Sequence, residues 1–232
     1  LSAADDSAGL AISTRMSSDM ISLNRAMRNA NDGVSMLQTA DNASGDIGNA
    51  LVRMRELAVQ AANGTYTDQD RNALSNEFAQ LREHISTTVD NTRWNGRNLL
   101  DGSMATAHLQ IGATSNDAQT VDMADFKGLQ ALGSSIGTAT EAKSALDAID
   151  ASLSTVDTTR VQWGAAMNRL VRASDASAHI TENLSASRSK IVDTDYAQAT
   201  AELARAQIMQ TAGKAMLSQA NQNPMSVMRL LL

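Results

Sequence analysis

A chain of 232 residues with 43% apolar residues and a net charge of −6 has room for one or two domains, and its arginines lie scattered among acids, which argues against a nucleic-acid-binding face. With no cysteine there is no disulfide scaffold, thiolate metal site or cysteine nucleophile, and no apolar run approaches the ~20 residues that span a bilayer. Aromatic residues at 3% are too few for a deep core, and a single proline, Pro224, leaves everything upstream free to be helical, so the composition points to an elongated body of thinly packed helices.

Leu1-Ser2 carries neither Met nor a signal-peptide pattern, so the chain is expected to be a segment of something longer. Met16, Met20, Leu23, Met27, Ala30, Val34 and Leu37 then alternate steps of four and three, a heptad seam. The seam runs through Asn29, Asn31, Asp32 and Gly33, which turn chemistry would break. After one three-residue stammer through Ala40 and Ser44 it resumes at Ile47, Leu51, Met54, Ala58 and Ala61. One helix from about Asp5 to about Ala62 follows, ended by Asn63-Gly64. An interior Gly33 costs up to ~1 kcal/mol relative to Ala, so a close neighbour, such as the next subunit of an assembly, is expected against it.

Thr67-Asp68-Gln69-Asp70 has capping-box spacing and opens a second helix, about 68–90, with seam residues Leu74, Phe78, Leu81, Ile85 and Thr88. Between about 95 and 137, Gly and Asp-Gly turn signals appear, and Leu109 with Ile111, then Val121 with Met123, alternate as half-buried strands do. One or two small hairpins fit there. Helical spacing returns over about 141–187 through Ala142, Leu146, Ile149, Leu153, Val156, Trp163, Met167 and Leu170, with Arg160 on the seam, and continues through Ala173, Ser177, Ile180 and Leu184. This helix is expected to pack antiparallel on the first, which makes residues 1–190 a mainly α rod with a small β-hairpin region. Residues 191–232 form a separate terminal region whose apolar residues, Leu203, Ile208, Met216 and Leu217, lack a partner in the chain; this tail should fray unless another chain or the chain's own body holds it.

His84, His108 and His179 fall on separate elements without a second ligand at metal spacing. Asp193-Thr194-Asp195 begins like a calcium loop, but its sixth position is Gln198 and its twelfth Ala204, which excludes an EF-hand. No phosphate-cradling glycine loop or nucleophile elbow occurs, so no cofactor and no enzyme are expected. Arg53, Leu57 and Gln60 make a stripe beside the buried seam, and it reads either as an interface or as the edge of a wide core-facing stripe.

Several runs resemble one family, the bacterial flagellins. DDSAGLAIS (Asp5 to Ser13), RNANDGVSMLQTADNA (Arg28 to Ala43), RMRELAVQAANGT (Arg53 to Thr65) and WNGRNLLDG (Trp94 to Gly102) are similar to its N-terminal core, and LQIGA (Leu109 to Ala113) to its hairpin. Ser187 to Leu232 is similar to its C-terminal core. The resemblance implies a structural subunit that polymerises with other flagellin subunits into a secreted, extracellular helical filament for swimming, exported without a cleaved signal peptide and attended by an export chaperone and a filament cap. It also implies a preceding helix, absent here, that pairs with the C-terminal one, and variable outer domains reduced to a short link.

In flagellins recognised by the innate-immune receptor TLR5, the corresponding surface falls on Arg53, Leu57 and Glu77, and the same surface is expected between subunits along a protofilament. Val52 stands where the better-studied relatives carry Gln. Two alternatives share the architecture. One is a hook-filament junction protein, and the other a cell-surface adhesin binding acidic polysaccharide through Arg25, Arg28, Arg53, Arg55, Arg93 and Arg97.

Overall fold

In the computed structural model, which describes residues 6–193 and 195–230 with side-chain surroundings through 220, the first helix is continuous through the Asn-Asp-Gly cluster. This helix, α1, spans Ser7–Ala62; Asp5, the expected start, lies outside the described residues. Leu23, Ala30, Leu37, Ala40, Ser44, Ile47, Leu51, Met54, Ala58 and Ala61 are all buried, so the seam crosses the stammer unbroken. Several of its hydroxyls are satisfied within the helix: Ser35 donates to the Asn31 carbonyl, Thr39 to that of Ser35 and Ser44 to that of Ala40. Back-bonding of this kind lets a hydroxyl lie in a core without an orphaned group.

Gly33 is buried against the chain's own residues, which corrects the expectation of a neighbouring subunit there. A Cβ at this position would stand 2.6 Å from Leu109 Cδ1 and 3.2 Å from Leu170 Cδ1. Nearby, the Asn29 carboxamide donates to the Gln110 carbonyl at 3.0 Å. The polar cluster therefore seats a hairpin on the helix.

Gly64 does not take the left-handed conformation of a helix-ending glycine, since the positive-φ residues described are Asn95, Gly96 and Gly102. The guanidinium of Arg71 does that work instead, donating to the carbonyls of Ala61 and Asn63, both at 3.0 Å. Carbonyls at a helix C-terminus lack intrahelical donors, and a cation among them also meets the negative end of the helix dipole.

Arg71 belongs to α2, Asp68–Asn91, which opens on the expected capping box: Thr67 Oγ1 accepts from the Asp70 N–H and the Asp70 carboxylate accepts from the Thr67 N–H. Phe78, Ile85 and Val89 are its buried apolar residues. Two antiparallel hairpins follow. In the first, β1 (Arg93–Trp94) pairs with β2 (Arg97–Asn98) across Asn95-Gly96, whose φ angles of 48° and 79° suit a tight two-residue turn. In the second, β3 (Thr106–Gln110) pairs with β4 (Ala118–Asp122), with Ala107 opposite Val121 and both buried.

After a 3₁₀ turn at Gln130–Gly133, α3 runs over Ala139–Val192. It lies antiparallel to α1, because Gly33, Asp41 and Arg55 meet Leu170, Arg160 and Asp150, rising numbers on one helix against falling numbers on the other. Arg160, a charge on the expected seam, pairs with Asp41 at 2.8 Å. The second hairpin is tied to α3 by Trp163, whose Nε1 donates to the Asp122 carbonyl at 2.9 Å. Trp163 and Phe126 meet at 6.4 Å between ring centroids within the buried cluster.

Met16–Ser185 form one compact unit. The other comprises Leu1–Arg15 and Ala186–Leu232 and contains α4, Tyr196–Leu230. Every described α4 side chain through Ala220 is exposed within this chain, its apolar residues included.

Candidate interaction surface

Neighbouring turns of α1 bring Arg53, Glu56, Leu57 and Gln60 together, and Glu77, near the middle of α2, comes to the same surface. Arg53 sits between two carboxylates: its Nη1 reaches Glu56 Oε2 at 2.8 Å and its Nη2 reaches Glu77 Oε1 at 2.8 Å. These bonds, to Glu56 first and Glu77 second, push the guanidinium above its ordinary pKa. All three side chains are about half exposed, which leaves them open to a partner and screened by salt. Gln60 donates to the Tyr66 hydroxyl at 2.9 Å.

Leu57 differs. At 1% exposure it belongs to the core cluster, so the stripe is a wide core-facing one and Leu57 does not project from the surface. A helix with a core on one side and α2 on another buries a broader arc than a two-stranded seam does. Arg53, Gln60 and Glu77 form the exposed layer, with Leu57 beneath as support.

Arg55, two residues on and turned toward α3, pairs with Asp150 at 2.7 Å, which raises the arginine's pKa and lowers the aspartate's. Sequence reasoning missed that pair and missed Arg71. The signal for Arg71 was present, because residues 71, 74, 78, 81 and 85 step by three, four, three, four and so extend the α2 seam back to the arginine.

On α4, Leu203, Ile208, Met216 and Leu217 are 58–71% exposed, joined by Met209 at 69%. At 100° per residue they occupy well over half the helix circumference, a distribution suited to enclosure from several sides. An apolar trough of about 610 Å³ opens in the larger unit, lined by Leu23, Ile111, Ala173, Ile180 and Leu184 with Asp19 and Asp117. Among the described residues no three metal-ligating side chains gather, and no helix is long and apolar enough to cross a membrane.

The model of the bacterial flagellin N-terminal helical region matches residues 1–105, and that of the C-terminal helical region matches residues 146–231. A flagellin from Halalkalibacterium halodurans is 42% identical over 99% of this chain and 86% of its own length. The chain belongs to the bacterial flagellin family. A crystal structure of Bacillus cereus flagellin superposes with a TM-score of 0.61 at 31% identity, covering 65% of this chain and 88% of that one. A putative flagellar hook-associated protein from Vibrio parahaemolyticus reaches a TM-score of 0.70 over 82% of this chain and 100% of its own, but at 17% identity it shows a shared fold alone. This flagellin is accordingly a structural subunit of the flagellar filament, and the sequence identities favour that reading over a hook-filament junction protein.

Proposed function

We propose that this flagellin joins its filament through two surfaces. One is α4, the terminal assembly helix, which packs against neighbouring copies. The other is the Arg53–Glu77 layer, which meets the next subunit along a protofilament and is the face offered to TLR5.

The observation that carries the first is the exposure of Leu203, Ile208, Met209, Met216 and Leu217. Full burial of such side chains contributes about 1.5–3 kcal/mol each, a demand that only an enclosing assembly meets. Copies of one chain joined by non-closing contacts form helical filaments, and ordering a terminal helix on assembly couples folding to growth. Membership of the flagellin family supports export to the cell exterior, and the reading adds a chaperone on the apolar α4 and a cap that guides its addition. The acidic-glycan alternative is weakened because Arg53 and Arg55 are already held by carboxylates.

The test is growth of the protein on filament seeds. Arg53→Ala and Glu77→Ala should slow elongation and lower TLR5 reporter signalling while leaving thermal unfolding nearly unchanged. Wild-type elongation and signalling in both variants would refute the second surface.

A further inference from the structure

The chain contains two Asn-Gly pairs in exposed turns, Asn63-Gly64 between α1 and α2 and Asn95-Gly96 between β1 and β2. Their surroundings differ in ways that bear on the chemistry of the asparagine side chain. Asn63 Oδ1 accepts from the Thr65 backbone N–H at 3.2 Å, which folds the carboxamide back along the chain that follows it. The backbone carbonyl of Asn63 accepts from Arg71 Nη2 at 3.0 Å, and Arg71 is buried at 7% exposure. A Cβ built on Gly64 meets no heavy atom within 4 Å, and the same holds at Gly96, so both peptides are open to solvent base and only the polar partners differ.

We infer that Asn63-Gly64 is a self-modification site, at which the fold promotes conversion of Asn63 to aspartate and isoaspartate through a succinimide. Solvent hydroxide removes the Gly64 amide proton, and the nitrogen attacks Asn63 Cγ to form a new C–N bond. The carboxamide C–N bond breaks, and its nitrogen leaves as ammonia after taking a proton from water. Water then opens the ring at one of its two carbonyls, giving aspartate or isoaspartate, so the net change is gain of water and loss of ammonia.

Two groups assist. Arg71 withdraws electron density from the carbonyl of the same peptide, which makes the Gly64 N–H easier to remove. Thr65 N–H donates to the oxygen on which negative charge develops during attack, the principle by which fixed donors stabilise an oxyanion. Gly64, lacking a side chain, leaves its nitrogen unshielded.

At Asn95 neither aid is present among the described residues, and the turn is held between paired strands, Trp94 opposite Arg97. An isoaspartate at position 63 inserts a backbone methylene where Arg71 grips the carbonyl. The modified chain therefore carries an added negative charge and a loosened α1–α2 corner, an age mark on a subunit exposed outside the cell.

The test is incubation of the whole protein at neutral and mildly alkaline pH, with peptide mapping that separates the asparagine, aspartate and isoaspartate forms of both sites. Because both asparagines precede glycine, the same experiment in urea gives the rate ratio without the fold. Conversion at Asn63 should exceed that at Asn95 several-fold in the native protein, rise with pH, fall toward equality in urea and be strongly slowed by Gly64→Ala. A native ratio at or below one, or the same ratio in urea, overturns the inference.

Discussion

Replacing Leu57 by alanine separates a core role from a surface role by its size. At 1% exposure, the side chain loses nearly all of its transfer free energy on truncation. Three buried carbons at ~0.8 kcal/mol each give about 2.4 kcal/mol, and the residual cavity raises the loss to about 3 kcal/mol. For a chain of 232 residues this corresponds to a fall in Tm of about 6–12 °C. Val52→Ala is the matched control. Val52 is 49% exposed on the same helix, and its truncation should stay within ~0.5 kcal/mol. Urea unfolding followed by far-ultraviolet circular dichroism measures both. If Leu57→Ala is no more destabilised than Val52→Ala, Leu57 is not part of the core and the division of the Arg53 stripe into an exposed layer and a buried support is wrong.

Trp163→Phe removes the donor to the Asp122 carbonyl and part of a fully buried ring, so urea unfolding should show a loss of about 2–4 kcal/mol, with faster amide exchange in β4; a loss under about 1 kcal/mol would refute the tie. Asp101 accepts from Ser103 and Asn98, and these bonds, those from Ser103 largest, hold its pKa at about 2, below the unfolded value of ~3.9. A depressed folded pKa contributes stability that is present above the unfolded value and lost as pH falls toward the folded one. Asp101→Asn should therefore lose less stability than wild type between about pH 5 and about pH 2, and parallel losses would count against the assignment.

What could be read from the sequence was whatever depends on period. The Met16–Leu37 seam overrode the turn chemistry at Asn29–Gly33, because tertiary packing outweighs local propensity once a helix face is fully occupied. The Thr67–Asp70 capping box was equally plain, since both partners lie within one turn. Contacts that join distant elements were less legible. That Gly33 receives Leu109 and Leu170, and not a neighbouring subunit, depends on where the second hairpin lands. Leu57 could not be placed from α1 alone, because its burial depends on the angle at which α2 returns. Arg71 was overlooked because a charged residue on a seam line is usually taken as an interruption, whereas here it caps the preceding helix. On α4, composition marks Leu203, Ile208, Met216 and Leu217 as apolar, and the helix that carries them leaves them exposed within this chain.

The ion pairs along α1 also have a mechanical meaning. Asp41 and Arg55, on well-separated turns, fasten α1 to α3, and Arg53 fastens it to α2, so the fastenings lie between different helices and the two to α3 at separate heights. Parallel slats that slide past one another bend easily; slats pinned at intervals bend as a single thicker beam. When a filament curves, adjacent helices must slide lengthwise, and that sliding would stretch these partly exposed pairs before it disturbed the apolar seam. Dissolved salt screens such pairs and leaves apolar burial nearly untouched, so ionic strength should soften the bundle in bending without unfolding it.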